Sequence, residues 1–161
     1  VKKVIFLDRD GIINQKSSTV DYIKSWDEFR LLPGVIEALQ LLIKNNFQIF
    51  IITNQAGVAR GFMSEEDLQK IHENLINHFE KNNIHVTKIY YCPHGWNDGC
   101  SCRKPEPGML LQAEKEFNFA IKEAIFIGDD ARDKKAGDAA GCQTILMKPN
   151  GNLLEVVQKI V

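Results

Sequence analysis

The chain of 161 residues carries 20 basic against 21 acidic side chains, a formal net charge of −1, with 44% hydrophobic and 25% charged residues. That balance suits a single domain over residues 1–161 with a core of its own, and it argues against a dedicated nucleic-acid binder, which needs a basic excess. Val4–Leu7 is too short for a signal-peptide core and Phe47–Ile52 too short to span a bilayer, so the cytoplasm is the expected compartment. There the four cysteines read as metal ligands or free thiols before disulfides.

In chain order, short apolar or β-branched runs at Val4–Leu7, Phe47–Thr53, Lys88–Tyr91, Ala124–Ile127 and Thr144–Met147 predict strands buried on both faces. Helical spacing separates them. Val35, Ile36, Leu39, Leu42 and Ile43 follow Pro33-Gly34. Leu68, Ile71, Leu75 and Phe79 follow Ser64, an N-cap with Asp67 at the capping-box position. Met109, Leu110, Ala113 and Phe117 form the next stripe, Asp133–Ala140 predicts a short helix, and Leu153, Leu154, Val157 and Ile160 make the last. The alternation predicts a Rossmann-like parallel sheet with helices on both faces, whose ligands bind beyond the carboxyl ends of the strands. Asn14–Leu32 and Pro93–Glu106 are long and aperiodic, as functional loops are.

The chemistry-bearing residues fall at those strand ends. In Asp8-Arg9-Asp10-Gly11, the first carboxylate can attack phosphorus or ligate a metal, and the second is close enough to act as general acid and base. The same four residues also fit a loop with solvated acids. Asp129 in Gly128-Asp129-Asp130 is the preferred extra ligand for Mg²⁺, while Asp133 fits an acidic N-cap of the helix it opens. Thr53-Asn54 offers a hydroxyl and an amide to phosphate oxygens, or simply a turn; the loop behind it ends in Arg60-Gly61. Arg103 and Lys104 can hold a transferring phosphoryl group, or be surface cations. Cys92, His94, Cys100 and Cys102 have the spacing of a closed, structural Cys3His zinc site that would fix the two cations that follow; free thiols or a redox pair are its rivals. Cys142 reads as a core residue, and His72, His78 and His85 as surface or satisfied histidines. Trp26, Phe29 and Trp96 could pack over a substrate or cap the core, the latter being expected of Phe29.

Taken in order, Phe6–Gly11, Thr53–Gly61, Tyr91–His94, Cys100–Pro105 and Ile127–Asp129 give the chain its resemblance to the haloacid dehalogenase superfamily, and within it to the small, capless D-glycero-D-manno-heptose 1,7-bisphosphate phosphatases. The resemblance implies a magnesium-dependent phosphatase in heptose and lipopolysaccharide biosynthesis. Asp8 would be the nucleophile and Asp10 the proton shuttle; Thr53 and Lys104 would stabilise the phosphoryl group. Arg103 would help recognise the substrate, and Thr19, Tyr22, Asn54, Gln55, Ala56 and Arg60 would belong to its pocket. Mg²⁺ would be held by Asp8, the Asp10 carbonyl and Asp129, and Zn²⁺ by Cys92, His94, Cys100 and Cys102. A monomer acting on a small phosphorylated sugar, without nucleic acid or membrane, is expected. Two departures stand out. Asn14–Leu32 is longer than usual, and Asp130 stands where relatives often carry Lys, an acid that would repel phosphate unless it faced the metal's water shell.

The competing readings are a histidinol-phosphate phosphatase, which shares the zinc pattern, and a polynucleotide 3′-phosphatase, against which the neutral charge speaks. A phosphoacceptor domain would modify Asp8 without needing Asp10. A nucleic-acid zinc finger lacks a ligand-bearing helix and a basic surface.

Overall fold

A computed structural model describes residues 1–16 and 22–161. Among them, the apolar runs form β1 (Lys3–Leu7), β2 (Phe47–Asn54), β3 (Val86–Cys92), β4 (Ile125–Gly128) and β5 (Gln143–Leu146), all paired in parallel. The helical stripes form α1 (Val35–Lys44), α2 (Glu65–Lys81), α3 (Gly108–Phe117), α4 (Ala131–Ala140) and α5 (Leu153–Ile160).

Side-chain alternation along the strands builds two cores. Ile5 and Leu7 of β1 and Ile49 and Ile51 of β2 pack against α1, α2 and α5. Phe6, Phe50 and Phe126 point the other way, onto α3 and α4. With both faces covered, the strands can be apolar throughout. The strand order is β3-β2-β1-β4-β5, so the winding reverses between β1 and β4, and a crevice opens beyond their carboxyl ends. Asp8, Thr53 and Asp129 lie at the ends of β1, β2 and β4 around that crevice.

Helix starts follow their caps. Ser64 and Asp67 make the expected capping box on α2. On α4 the expected start at Asp133 is corrected. The helix begins at Ala131 with Asp130 as N-cap, and Asp133 reaches back from the N3 position to the Asp130 amide. Ala131 and Arg132 carry no apolar period, so the pattern did not reveal this first turn; the Asp-x-x-Asp box did hold the signal. In the first long loop, a 3-10 turn at Trp26–Glu28 stacks Trp26 on Phe29 at 5.0 Å, and both pack on the core. Cys142 is buried as expected.

Gly137 sets the approach of α4 to β5, since a Cβ there would fall on the Thr144 hydroxyl. Replacing Gly137 by Val should lower stability by about 1–3 kcal/mol, read as a lower urea midpoint at unchanged slope. An unchanged midpoint would mean that helix and strand are not in close contact.

Candidate active site

The end of β1 is tied to β4 by the Asp8 amide, which donates to the Ile127 carbonyl at 3.0 Å. The chain then turns through Gly11 at φ +87°, a conformation that favours glycine. A Cβ at Gly11 would also fall on the Asp129 carboxylate and force it to shift. The turn leaves Asp8 only 7% exposed and brings Asp10 beside it.

Lys104 enters from the loop after β3. Asn54 holds its backbone from both sides: the Asn54 amide donates to the Lys104 carbonyl at 3.1 Å, and the Lys104 amide donates to Asn54 Oδ1 at 3.0 Å. The ammonium then reaches Asp8 Oδ1 at 3.0 Å, Asp133 Oδ1 at 2.6 Å and the Ile52 carbonyl at 3.3 Å. Burial acts to lower the Lys104 pKa, but the two carboxylates outweigh it and raise the value. Burial raises the Asp8 pKa well above the usual carboxylate range, with Asp133, Asp129 and Asp10 adding to the rise and Lys104 opposing it.

Asp10 is surrounded by donors. Its Oδ1 accepts from Arg9 Nη2 at 2.8 Å and from Asn14 Nδ2 at 3.0 Å, and its Oδ2 accepts from Gln55 Nε2 at 2.9 Å. Burial pushes its pKa up, but the Arg9 charge and these hydrogen bonds outweigh that and hold it below the ordinary value.

The carboxylates of Asp8, Asp129 and Asp133 come together with one oxygen of each within 4.8 Å of the others. Asp129 Oδ1 is buried without a hydrogen-bond partner, while Oδ2 accepts from Lys16 Nζ at 3.1 Å. A buried, unpaired carboxylate oxygen among other acids fits a hard divalent cation with oxygen ligands. The second constellation also assembles. Cys92 Sγ lies 3.6 Å from Cys100 Sγ and 2.8 Å from Cys102 Sγ, with His94 Nδ1 at 3.3 Å from Cys92 and 3.2 Å from Cys102. Three thiols and an imidazole converging on one point are a donor set suited to a tetrahedral zinc centre.

The cleft over Asp8 has a volume of about 250 Å³ and is lined by Tyr22, Asn54, Gln55, Ala56, Arg60, Trp96, Arg103 and Lys104 among others. Arg60 donates to the Tyr22 hydroxyl at 3.1 Å and lies over the rings of Phe62 at 5.3 Å and Trp96 at 5.2 Å. Arg103 lies 5.9 Å from the same indole, and its Nη1 is buried with no partner. Burial and the nearby Arg132 charge lower the Arg103 pKa. Thr53 is buried behind the cleft, its hydroxyl accepting from Gln55 Nε2 at 2.9 Å. Thr19 lies outside the described residues.

The sequence did not single out Lys16 as a partner of Asp129, the Lys104–Asp133 ion pair, or Arg132 as a cleft residue. Asp130 lines the cleft but is paired with Arg132, whose Nε and Nη2 donate to its two oxygens at 3.0 and 3.1 Å. The two-residue spacing Asp130-x-Arg132 at a helix start was the available signal. His72 is the satisfied alternative, buried with Nε2 against Arg9 Nη1 at 3.1 Å.

A family model described as Polynucleotide kinase 3 phosphatase matches residues 3–151. The D-glycero-alpha-D-manno-heptose-1,7-bisphosphate 7-phosphatase of Campylobacter jejuni is 41% identical over 90% of this chain and 81% of its own length. The beta-anomer 7-phosphatase of Pseudomonas aeruginosa is 40% identical over 91% and 82%. The crystal structure of D,D-heptose 1,7-bisphosphate phosphatase from Bordetella bronchiseptica, complexed with magnesium and phosphate, superposes with a TM-score of 0.91 at 32% identity, covering 98% of this chain and 97% of that one. The chain therefore belongs to the polynucleotide kinase 3 phosphatase family and, within the haloacid dehalogenase superfamily, to the D-glycero-D-manno-heptose 1,7-bisphosphate 7-phosphatases.

Proposed function

We propose that this chain removes the 7-phosphate of D-glycero-D-manno-heptose 1,7-bisphosphate, and that Asp8 is the nucleophile. The observation that carries the reaction type is a buried strand-end carboxylate 3.0 Å from a buried ammonium, with a second acid two residues on. Support for the substrate comes from the relatives' activities and from the Arg60, Arg103 and Arg132 guanidiniums on the cleft, beyond what one phosphate needs.

Asp8 attacks phosphorus and expels the sugar alkoxide, which takes a proton from Asp10. Asp10 then takes a proton from the water that attacks the aspartyl-phosphate, releasing phosphate and restoring Asp8. The donors on Asp10 favour its ionised form, the state a base needs; acting as an acid requires it to release one of them. Lys104 stabilises the phosphoryl group, Thr53 joins it once its hydroxyl turns from Gln55 and the Asn54 carbonyl toward the cleft, and Arg103 recognises the substrate with its unpaired Nη1. Asp8, the Asp10 carbonyl and Asp129 would hold Mg²⁺, which when bound neutralises phosphoryl charge. Cys92, His94, Cys100 and Cys102 would hold a structural Zn²⁺ that fixes the loop carrying Arg103 and Lys104.

The same reading takes residues 1–161 as one phosphatase domain, a monomer working in the cytoplasm in heptose and lipopolysaccharide biosynthesis. The near-neutral charge supports a small sugar phosphate over nucleic acid, and no helix among the described residues is long and apolar enough to cross a membrane.

Phosphate release with Mg²⁺ should be fastest from heptose 1,7-bisphosphate in a panel holding both anomers, histidinol phosphate and a 3′-phosphorylated oligonucleotide; a preference for histidinol phosphate would sink the assignment. Asp10→Asn should lower kcat by about 10²–10⁴-fold with an unchanged circular dichroism spectrum. A phosphoacceptor domain would keep its slow turnover. Metal analysis should find one zinc per chain, and stripping it with a chelator should lower the thermal midpoint and raise KM together, because the loop bearing the cations loosens. Zinc-free protein with an unchanged midpoint would count against a structural metal.

A further inference from the structure

We propose that Arg9 and His72 are positioning residues for Asp10: the imidazole fixes the guanidinium, and the guanidinium fixes the carboxylate that moves the protons. The inference rests on reading Asp10 as the acid–base group. Arg9 is completely buried and lies over the Phe29 ring at 5.6 Å. Its Nε and Nη2 both donate to Asp10 Oδ1, at 3.3 and 2.8 Å, which leaves Nη1 to be satisfied elsewhere. Nη1 finds His72 Nε2 at 3.1 Å.

Arginine has no acceptor, so His72 Nε2 must receive the hydrogen bond and the ring carries its proton on Nδ1. The neutral state this requires agrees with the surroundings. His72 is 7% exposed, and burial with the Arg9 charge pushes its pKa down to about 3, against a smaller pull from Asp10. The other ring beside it belongs to Tyr91, at 5.9 Å.

Without His72, Nη1 would be a charged donor buried without a partner, a state proteins avoid by rearranging. Rearranging Arg9 would release Oδ1 of Asp10 from two donors at once and leave it to Asn14, with Gln55 on Oδ2. An acid–base group must sit within hydrogen-bond reach of its proton, and a displacement of about 1 Å can cost about 10²-fold. His72 belongs to α2, which places no described residue on the cleft wall, so α2 acts on the site only through this imidazole and its neighbours.

Two near-isosteric variants separate positioning from bulk. In His72→Gln the amide oxygen reaches about where Nε2 stands; in His72→Asn it stops short of Arg9. With p-nitrophenyl phosphate and Mg²⁺, H72N should lower kcat by about 10–100-fold while KM changes by less than about threefold, and H72Q should recover kcat to within about threefold of the parent. Arg9→Lys should behave like H72N, because one ammonium cannot hold both Asp10 and His72. Should H72N fail to fold, H72Q against R9K gives the same comparison. Equal kcat in H72N and H72Q, full kcat in R9K, or a loss confined to KM would overturn the inference. If Asp10→Asn kept its turnover, the reading of Asp10 itself would fall; if Asp10→Asn were inactive and H72N fully active, only the positioning role would.

Discussion

The Lys104 ammonium stands between the carboxylates of Asp8 and Asp133, 3.0 Å from one and 2.6 Å from the other, in a place with almost no solvent. Three carboxylates meet at these strand ends, and so many acids cannot share a dry pocket without positive charge to offset them. Lys104 provides one such charge from the protein itself. Lys16, on Asp129, provides another. The arrangement also orients the proposed nucleophile, because Asp8 Oδ1 accepts from both Lys104 Nζ and the Arg9 amide, at 3.0 and 2.8 Å, which leaves Oδ2 as the freer oxygen.

Much of the remaining structure serves to deliver that ammonium. Lys104 comes from a loop with little core of its own, held at one end by the thiol and imidazole cluster that begins at the last residue of β3. Asn54, at the end of β2, clamps the Lys104 backbone at the other. Across the crevice, the capping box of α4 presents Asp133 with one oxygen on the amides of Asp129 and Asp130 and the other on Lys104. Local helix capping and active-site electrostatics are thus carried by the same carboxylate. The cations at the cleft rim are organised separately, Arg60 by a ring of aromatic side chains and Arg132 by Asp130.

The sheet and its helices were legible because apolar runs and helical stripes differ in period, and strand-end acids announce themselves in a parallel fold. Asp8, Asp129 and the Cys92, His94, Cys100 and Cys102 set are readable on spacing, and the structure brings each set together, whereas the Asp10 carboxylate is held apart by Arg9, Asn14 and Gln55. Asp133 reads from the sequence as a further acid at the end of β4 or as a helix cap, but no local pattern reports that it faces a lysine from another loop, 29 positions earlier in the chain. Arg9 and His72 lie 63 positions apart, and only the packing of α2 on the sheet makes them partners. Asn54, read as a phosphate ligand, has its amide engaged by Lys104; an amide's preference for a backbone partner is not encoded in its neighbours along the chain.

The central claim is that Asp8 becomes covalently phosphorylated, with Lys104 and Asp133 holding it ready. Its most direct measurement is acid-quenched reaction of the Asp10→Asn variant with p-nitrophenyl phosphate, whose leaving group needs no proton, then borohydride reduction of the trapped acyl phosphate and peptide mapping. The account predicts homoserine at position 8, approaching one per chain. Modification at Asp129 or Asp133 instead, or no covalent phosphate at any time while the parent enzyme turns over, would contradict it.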